Sequence, residues 1–219
     1  MKNLILCCLF CLISQSIFAQ GFGVIIRKNE KGERETQITS KNTTHIGPES
    51  ITRTYKGSFL FIDSFVMGAV KLHNTKVVIA PVLYNLKTEK ISAQIDGKVE
   101  EFYDTYFSVD RHKFTYINGH YYEVVKDRKT KFLKRYDCKL VEKPHGDDGA
   151  MESNEGNDGE FVTTTSYYFY FENKKLKDFK LTKKSILNVL KENDQALFEK
   201  FNTALDNLTE ADVVKVIEN

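Results

Sequence analysis

The chain has 219 residues, with 32 lysines and arginines against 30 aspartates and glutamates, for a net charge of +2. So close a balance argues against the basic field of a nucleic-acid binder and against a polycationic face for anionic lipid. Of the four cysteines, Cys7, Cys8 and Cys11 lie at the start and Cys138 stands alone, which excludes a disulfide scaffold and leaves stability to a packed core.

Lys2 places one positive charge before an apolar run from Leu4 to Ile13. Roughly ten residues is the length of a signal-peptide hydrophobic region and too short for a bilayer core of about 30 Å. Polar Ser14, Gln15 and Ser16 follow, and Ile17 and Ala19 stand at positions −3 and −1 of a signal-peptidase site. Leu6, Cys7 and Phe10 precede the early cysteines where lipoprotein processing wants a small residue, which argues against a lipid anchor. Residues 1–19 therefore read as a cleaved signal peptide. The expected destination is the periplasm, the outer-membrane surface or the extracellular medium. No later stretch is apolar for long enough to span a membrane.

Residues 20–56 read as a polar N-terminal segment or linker. Phe22, Val24, Ile25 and Ile26 form a strand, Asn29-Glu30-Lys31-Gly32 turns it back through Glu35 to Ile38, and 39–50, poor in apolar residues, reads as a loop. Residues 57–180 are the β-rich body, with Val, Ile, Phe and Tyr runs punctuated by turn signals. Asp96-Gly97 and Asn118-Gly119 are the strongest hairpin turns, because a type I′ turn needs positive φ at both central residues. Counting outward from the second pairs Ile117 with His120, Tyr116 with Tyr121 and Thr115 with Tyr122. Both faces of that hairpin are rich in apolar residues, so it is expected to be covered on both sides. Further strands run Phe132 to Val141 and Phe161 to Phe171, separated by an acidic loop over 145–160.

Residues 181–219 are a helical segment, since the apolar period changes there from two to 3.6. Thr182 caps a helix with Ile186, Leu187, Val189 and Leu190, and Asn193-Asp194 interrupts it. A second helix sets Leu197, Phe198, Phe201 and Leu205 on one stripe. Thr209 to Asp212 forms a capping box, with Asp in the place of Glu, before Val213, Val214, Val216 and Ile217. The fold class is α+β: a mainly antiparallel body, either a meander sheet or a partial barrel, followed by two or three short helices that must pack to be stable.

Gly57-Ser58-Phe59-Leu60 with Asp63, Phe65 and Gly68, then Leu83-Tyr84-Asn85-Leu86 with Thr88-Glu89, then Lys183-Lys184-Ser185 and the stretch from Glu210 to Glu218 carry a resemblance. In these residues the chain resembles an uncharacterised family of secreted β-rich proteins with a helical C-terminal tail, typical of Bacteroidota-type bacteria. The chain departs from it in a longer polar N-terminal stretch and in the acidic insert after Pro144. The resemblance implies fold and compartment, and no activity.

Candidate chemistry is sparse. The acidic insert fails the EF-hand calcium template, because Gly149, Gly156 and Gly159 in its sixth place put Pro144, Met151 and Asn154 in the first. It reads instead as a solvated loop. The strand with Lys131, Lys134, Arg135 and Lys139 reads as an edge strand guarded by lysines. His45, His73, His112, His120 and His145 offer no close zinc pair, and Cys138 adds one thiol. No Gly-x-Ser-x-Gly elbow, phosphate loop or cofactor motif occurs. Glu100, Glu101 and Asp104 are paired carboxylates at a strand end.

The aromatic load remains. Tyr116, Tyr121, Tyr122, Tyr168 and Tyr170 are candidates to face a ligand, with a tyrosine-rich core as the alternative. These residues favour a non-catalytic binding or interaction module of the cell envelope, with an envelope protein or a glycan as partner, over the alternative of a secreted hydrolase. No catalytic residue, metal ligand or cofactor site is assigned. Mass spectrometry of the exported protein is expected to give an N-terminus at Gln20, and a mature chain starting at a lipidated cysteine would overturn the processing site.

Overall fold

The computed structural model describes residues 22–44, 47–72, 76–143 and 157–218. The expected signal peptide, residues 145–156 of the acidic loop, and His45, His73 and His145 lie outside them. The chain divides into two units, Met1–Gly57 with Lys143–Gly159, and Ser58–Glu142 with Glu160–Asn219.

In the first unit, β1 (Phe22–Lys28), β2 (Arg34–Thr44) and β3 (Gly47–Lys56) form an antiparallel meander. The turn after β1 falls where expected: Asn29 Oδ1 accepts from the amides of Lys31 at 3.0 Å and Glu33 at 2.9 Å, and Gly32 takes φ +76°. The loop expected over 39–50 is not there. β2 and β3 stay in register from the Glu35–Lys56 pair to the Thr44–Gly47 pair. Low apolar content argues for a loop, but a ladder needs only backbone groups and residues that fit the pleat. This stretch is rich in threonine, a β-branched strand former, and Thr39 and Thr52 bond across the ladder at 3.0 Å. Asp158, at the end of the acidic insert, is tied to β3: its amide donates to Thr54 O at 2.7 Å and its carboxylate accepts from Thr54 N at 2.6 Å.

The second unit is an open, antiparallel sheet with three helices. Its strands are β4 (Val66–Lys71), β5 (Val77–Asn85), β6 (Lys90–Ile95), β7 (Lys98–Phe102), β8 (Phe107–Val109), β9 (His112–Ile117), β10 (His120–Lys126), β11 (Lys131–Glu142), β12 (Gly159–Tyr170) and β13 (Leu176–Phe179). Their spatial order is β12-β11-β10-β9-β8-β4-β5-β6-β7, with β13 paired to β12. The two hairpin turns form as expected, Asp96 and Gly97 at φ +50° and +77°, Asn118 and Gly119 at +50° and +88°. The register of β9 on β10 pairs Ile117 with His120, Tyr116 with Tyr121 and Thr115 with Tyr122.

One pairing breaks the sequential meander. β8 leaves β7 and joins β4, which lies some forty residues earlier in the chain, through pairs such as Gly68–Val109 and Val70–Phe107. Glycine makes the approach possible, because a Cβ at Gly68 would lie 2.0 Å from the Ser108 carbonyl oxygen. Ser108 Oγ in turn accepts from Ala69 N at 3.0 Å. The inner face of this part of the sheet is apolar and closed: Val70, Val82, Ile91, Ala93 and Val109 have no exposed surface, and Phe107 stacks on Phe114 at 4.6 Å.

β11 corrects the edge-strand expectation, since it lies inside the sheet between β10 and β12. Its cations pair with acids rather than guard an edge. Lys134 meets Glu210 at 2.9 Å, Arg135 meets Asp137 at 2.9 Å, and Lys131 meets Asp127 at 2.8 Å.

The helices are α1 (Lys183–Leu190), α2 (Gln195–Asn202) and α3 (Glu210–Glu218); α1 and α3 start where the capping signals put them, and α2 starts just past the expected interruption at Asn193-Asp194. The hydroxyl of Thr182 accepts from Ser185 N at 3.4 Å, Asp194 Oδ1 from Leu197 N at 3.1 Å, and Asp212 from Thr209 N at 2.9 Å, which closes the expected box. Asp194 also accepts from the buried Thr130 hydroxyl at 2.6 Å, binding the cap of α2 to the β10–β11 turn. Leu205 falls after α2 and is 70% exposed, so it leaves the stripe on which the helical period placed it.

Each helix contributes two residues to one core. Ile186 and Leu190, Leu197 and Phe201, and Val213 and Ile217 pack with Phe132, Phe169, Phe171 and Phe179 of the sheet and its margins. Phe169 and Phe179 stack at 4.3 Å, and Phe201 lies 6.3 Å from Phe169. Phe201 has no exposed surface, so Phe201→Ala is expected to cost about 3–5 kcal/mol. Equilibrium unfolding checks this, and an unchanged midpoint would mean that the tail does not cover the sheet.

Candidate functional site

The five tyrosines do not converge on one surface. Tyr121 and Tyr122 are adjacent in β10 and so face opposite sides of the sheet, and each is only 3% exposed. Tyr121 packs among Phe107, Tyr84 and Tyr116, while Tyr122 meets Tyr168 edge to face at 5.1 Å. Tyr168 and Tyr170, both half-buried, share one face of β12. Tyr121 and Tyr122 thus belong to the tyrosine-rich core, which was the alternative reading of the aromatic load.

Two histidine–carboxylate pairs flank these rings. Glu123 is 9% exposed, and its carboxylate accepts from the Tyr136 hydroxyl at 2.5 Å and from His112 Nδ1 at 2.5 Å. The carboxylate accepts, so Nδ1 is the donor of this pair, on a partly exposed ring. Phe61 stands edge-on to His112 at 4.9 Å and to Tyr136 at 5.2 Å. β9, β10 and β11 each place one member of this triad. A carboxylate that orients an imidazole is the supporting half of a general-base arrangement.

The second pair uses the β5–β6 turn. Glu89, at φ +53°, brings Oε1 to 3.1 Å from His120 Nδ1 and 3.4 Å from Arg135 Nη2. Arg135 also meets Asp137, so a largely buried guanidinium is compensated by two carboxylates. Glu123 had a legible signal, an acid inside the otherwise uncharged stretch His120-Tyr121-Tyr122-Glu123-Val124-Val125, both of whose faces are covered. Glu89 had none beyond its place in a turn.

The remaining candidates separate. Glu101 accepts from Lys90 at 3.1 Å and Tyr103 at 2.7 Å, and these bonds lower its pKa, whereas Asp104 bonds Tyr116. They are not a carboxylate pair. Cys138 is buried, and burial pushes its thiol pKa up, away from the thiolate that a nucleophile needs. Among the described residues no group of three or more His, Cys, Asp or Glu is placed to hold a metal ion, and no helix is long and apolar enough to cross a membrane.

The feature that sequence reasoning missed is on the outside. The β4–β5 register places Met67 opposite Pro81, Ala69 opposite Ile79 and Lys71 opposite Val77, all on the face away from Val70, Ala80 and Val82. On that outer face Met67 is 58%, Val77 59% and Ile79 75% exposed. Pairing through β6 continues the row from Pro81 through Gln94 to Val99, and exposed Tyr106 borders Lys71, whose ammonium lies over its ring at 5.7 Å. An antiparallel sheet with a buried inner face ordinarily turns polar residues outward. Here the outer face of β4 and β5 is largely apolar as well.

Comparison with protein-family models, with characterised proteins and with solved structures finds no match.

Burial is also the first cause that moves Tyr121, from its ordinary 10.0 to about 12, and Tyr84 and Tyr136 shift further the same way. A folded-state pKa above the unfolded value makes a contribution that is intact below about 10 and lost as pH rises through about 12. Stability to urea is therefore expected to fall across that alkaline window, with tyrosinate absorbance appearing together with unfolding. Free titration of all the tyrosines near their ordinary value in the folded protein would contradict it.

Proposed function

We propose that the chain is an exported, non-catalytic interaction module of the cell envelope, and that it works through the apolar outer face of β4 to β7. One observation carries this reading: Met67, Val77, Ile79 and Val99 are more than half exposed, while Val70, Ala80, Val82, Ile91 and Ala93 already form a core on the other face. Contiguous exposed apolar surface of this kind marks interaction sites. The resemblance to secreted β-rich proteins and the N-terminal apolar run support the compartment.

A hydrolase is the second reading, favoured by His112 held through Nδ1 by buried Glu123. The two readings separate by substitution. On the interaction reading, Ile79→Lys releases the exported protein from the envelope fraction into the soluble one, while His112→Gln leaves its distribution unchanged. Identical fractionation of Ile79→Lys and wild type would remove the interaction reading. Turnover of simple ester or amide substrates falling about 10²-fold in His112→Gln would establish the hydrolase instead.

A further inference from the structure

We infer that the occupant of the β4–β7 outer face is a second copy of this chain, packed sheet against sheet about a twofold axis. The inference rests on the interaction reading above and names the partner.

Shape comes first. Met67 on β4, Val77 and Ile79 on β5 and Val99 on β7 share the outer face of adjacent strands, with Gln94 of β6 beside Val99. Peptide ligands need a groove or an open strand edge, whereas a sheet face packs best on another sheet face, about 10 Å away. The edge beyond the patch is itself guarded, because β7 carries exposed Lys98, Glu100 and Glu101.

Size and charge select among protein partners. The exposed parts of Met67, Val77, Ile79, Val99 and Tyr106 come to roughly 600 Å². Partly exposed Ala69 and Pro81 and the stem of Lys71 bring this close to the approximately 800 Å² that each partner buries in a standard interface. An isologous contact sets the rim of the patch against itself, so a rim of one sign would repel its own copy. This rim carries both signs: Lys71, Lys98 and Lys113 interleave with Asp96, Glu101 and Asp110, and Glu101 is already paired with Lys90 at 3.1 Å. The same mixture disfavours an anionic membrane surface, which calls for a cationic rim.

Sedimentation of the purified protein across the micromolar range is expected to show a monomer–dimer equilibrium. Ile79→Lys should weaken it about 30-fold or more, with the far-ultraviolet spectrum and thermal midpoint of the monomer unchanged. Val99→Lys serves as a second variant should Ile79→Lys fail to fold. Mixing Ile79→Lys with Ile79→Glu should restore dimers that neither forms alone, because the introduced charges then meet as opposites across the axis. A wild-type chain that stays monomeric, or dimers indifferent to both substitutions, would overturn the second-copy inference. Loss of envelope retention in Ile79→Lys with a monomeric wild type would keep the interaction reading and assign the face to a different protein.

Discussion

The fold of the second unit depends on one burial event, the covering of Phe132, Phe169 and Phe179 by Ile186, Leu190, Phe201 and Val213. Helices of eight or nine residues do not persist alone in water, and a sheet face bearing three phenylalanines does not remain open to it. Each solves the other's problem. The polar contacts around this core serve register more than energy: Thr130 on the cap of α2, Lys134 on Glu210, and Lys126 on Glu218 tie the helices to the β10–β11 hairpin at three points. Partly exposed ion pairs of this kind are worth little each, so the apolar contact sets stability and the pairs set orientation.

Away from the helices, the inner face is closed by sheet residues together with Phe61 of the segment that precedes β4. Phe61 packs on Tyr84, His112, Phe114 and Tyr136, so it does for that region what the helices do for β11 and β12. Among the described residues, Glu123 is the acid buried within this aromatic shell. It is tolerated because two donors reach it, and removing either would leave a buried carboxylate short of a partner. The arrangement explains why His112 is oriented without requiring that it act on a substrate.

Among the described residues, the outer face of β4 and β5 stands apart in its exposure. Core residues are apolar to leave water, and exposed residues of a sheet are ordinarily polar for the same reason. Ile79 at 75% exposure obeys neither rule within one chain. On the interaction proposed above, the same physics that builds the inside of the fold acts on its outside.

The sequence by itself determined what depends on near neighbours. The Asn118-Gly119 turn set the β9–β10 register to the residue, Thr182 and Thr209 set two helix starts, Asn193-Asp194 set the break between α1 and α2, and the change of period at Leu181 set the class. These are local because positive φ, cap bonds and 3.6-residue periodicity act over a few residues. The tertiary structure alone decided which strands meet across long separations. The β4–β8 pairing carries β8 away from β7, the neighbours β10 and β12 make β11 interior, and β9, β10 and β11 side by side bring Glu123 to His112 and Tyr136. It also decided that residues 39–44 and 47–50 are ladder, since polar threonine stretches read alike as loop or strand until a partner is found. Above all it decided which face of β4 and β5 is inside. Val77-Val78-Ile79-Ala80-Pro81-Val82 is apolar without a break, and a continuous apolar run does not say which alternate residues water will see.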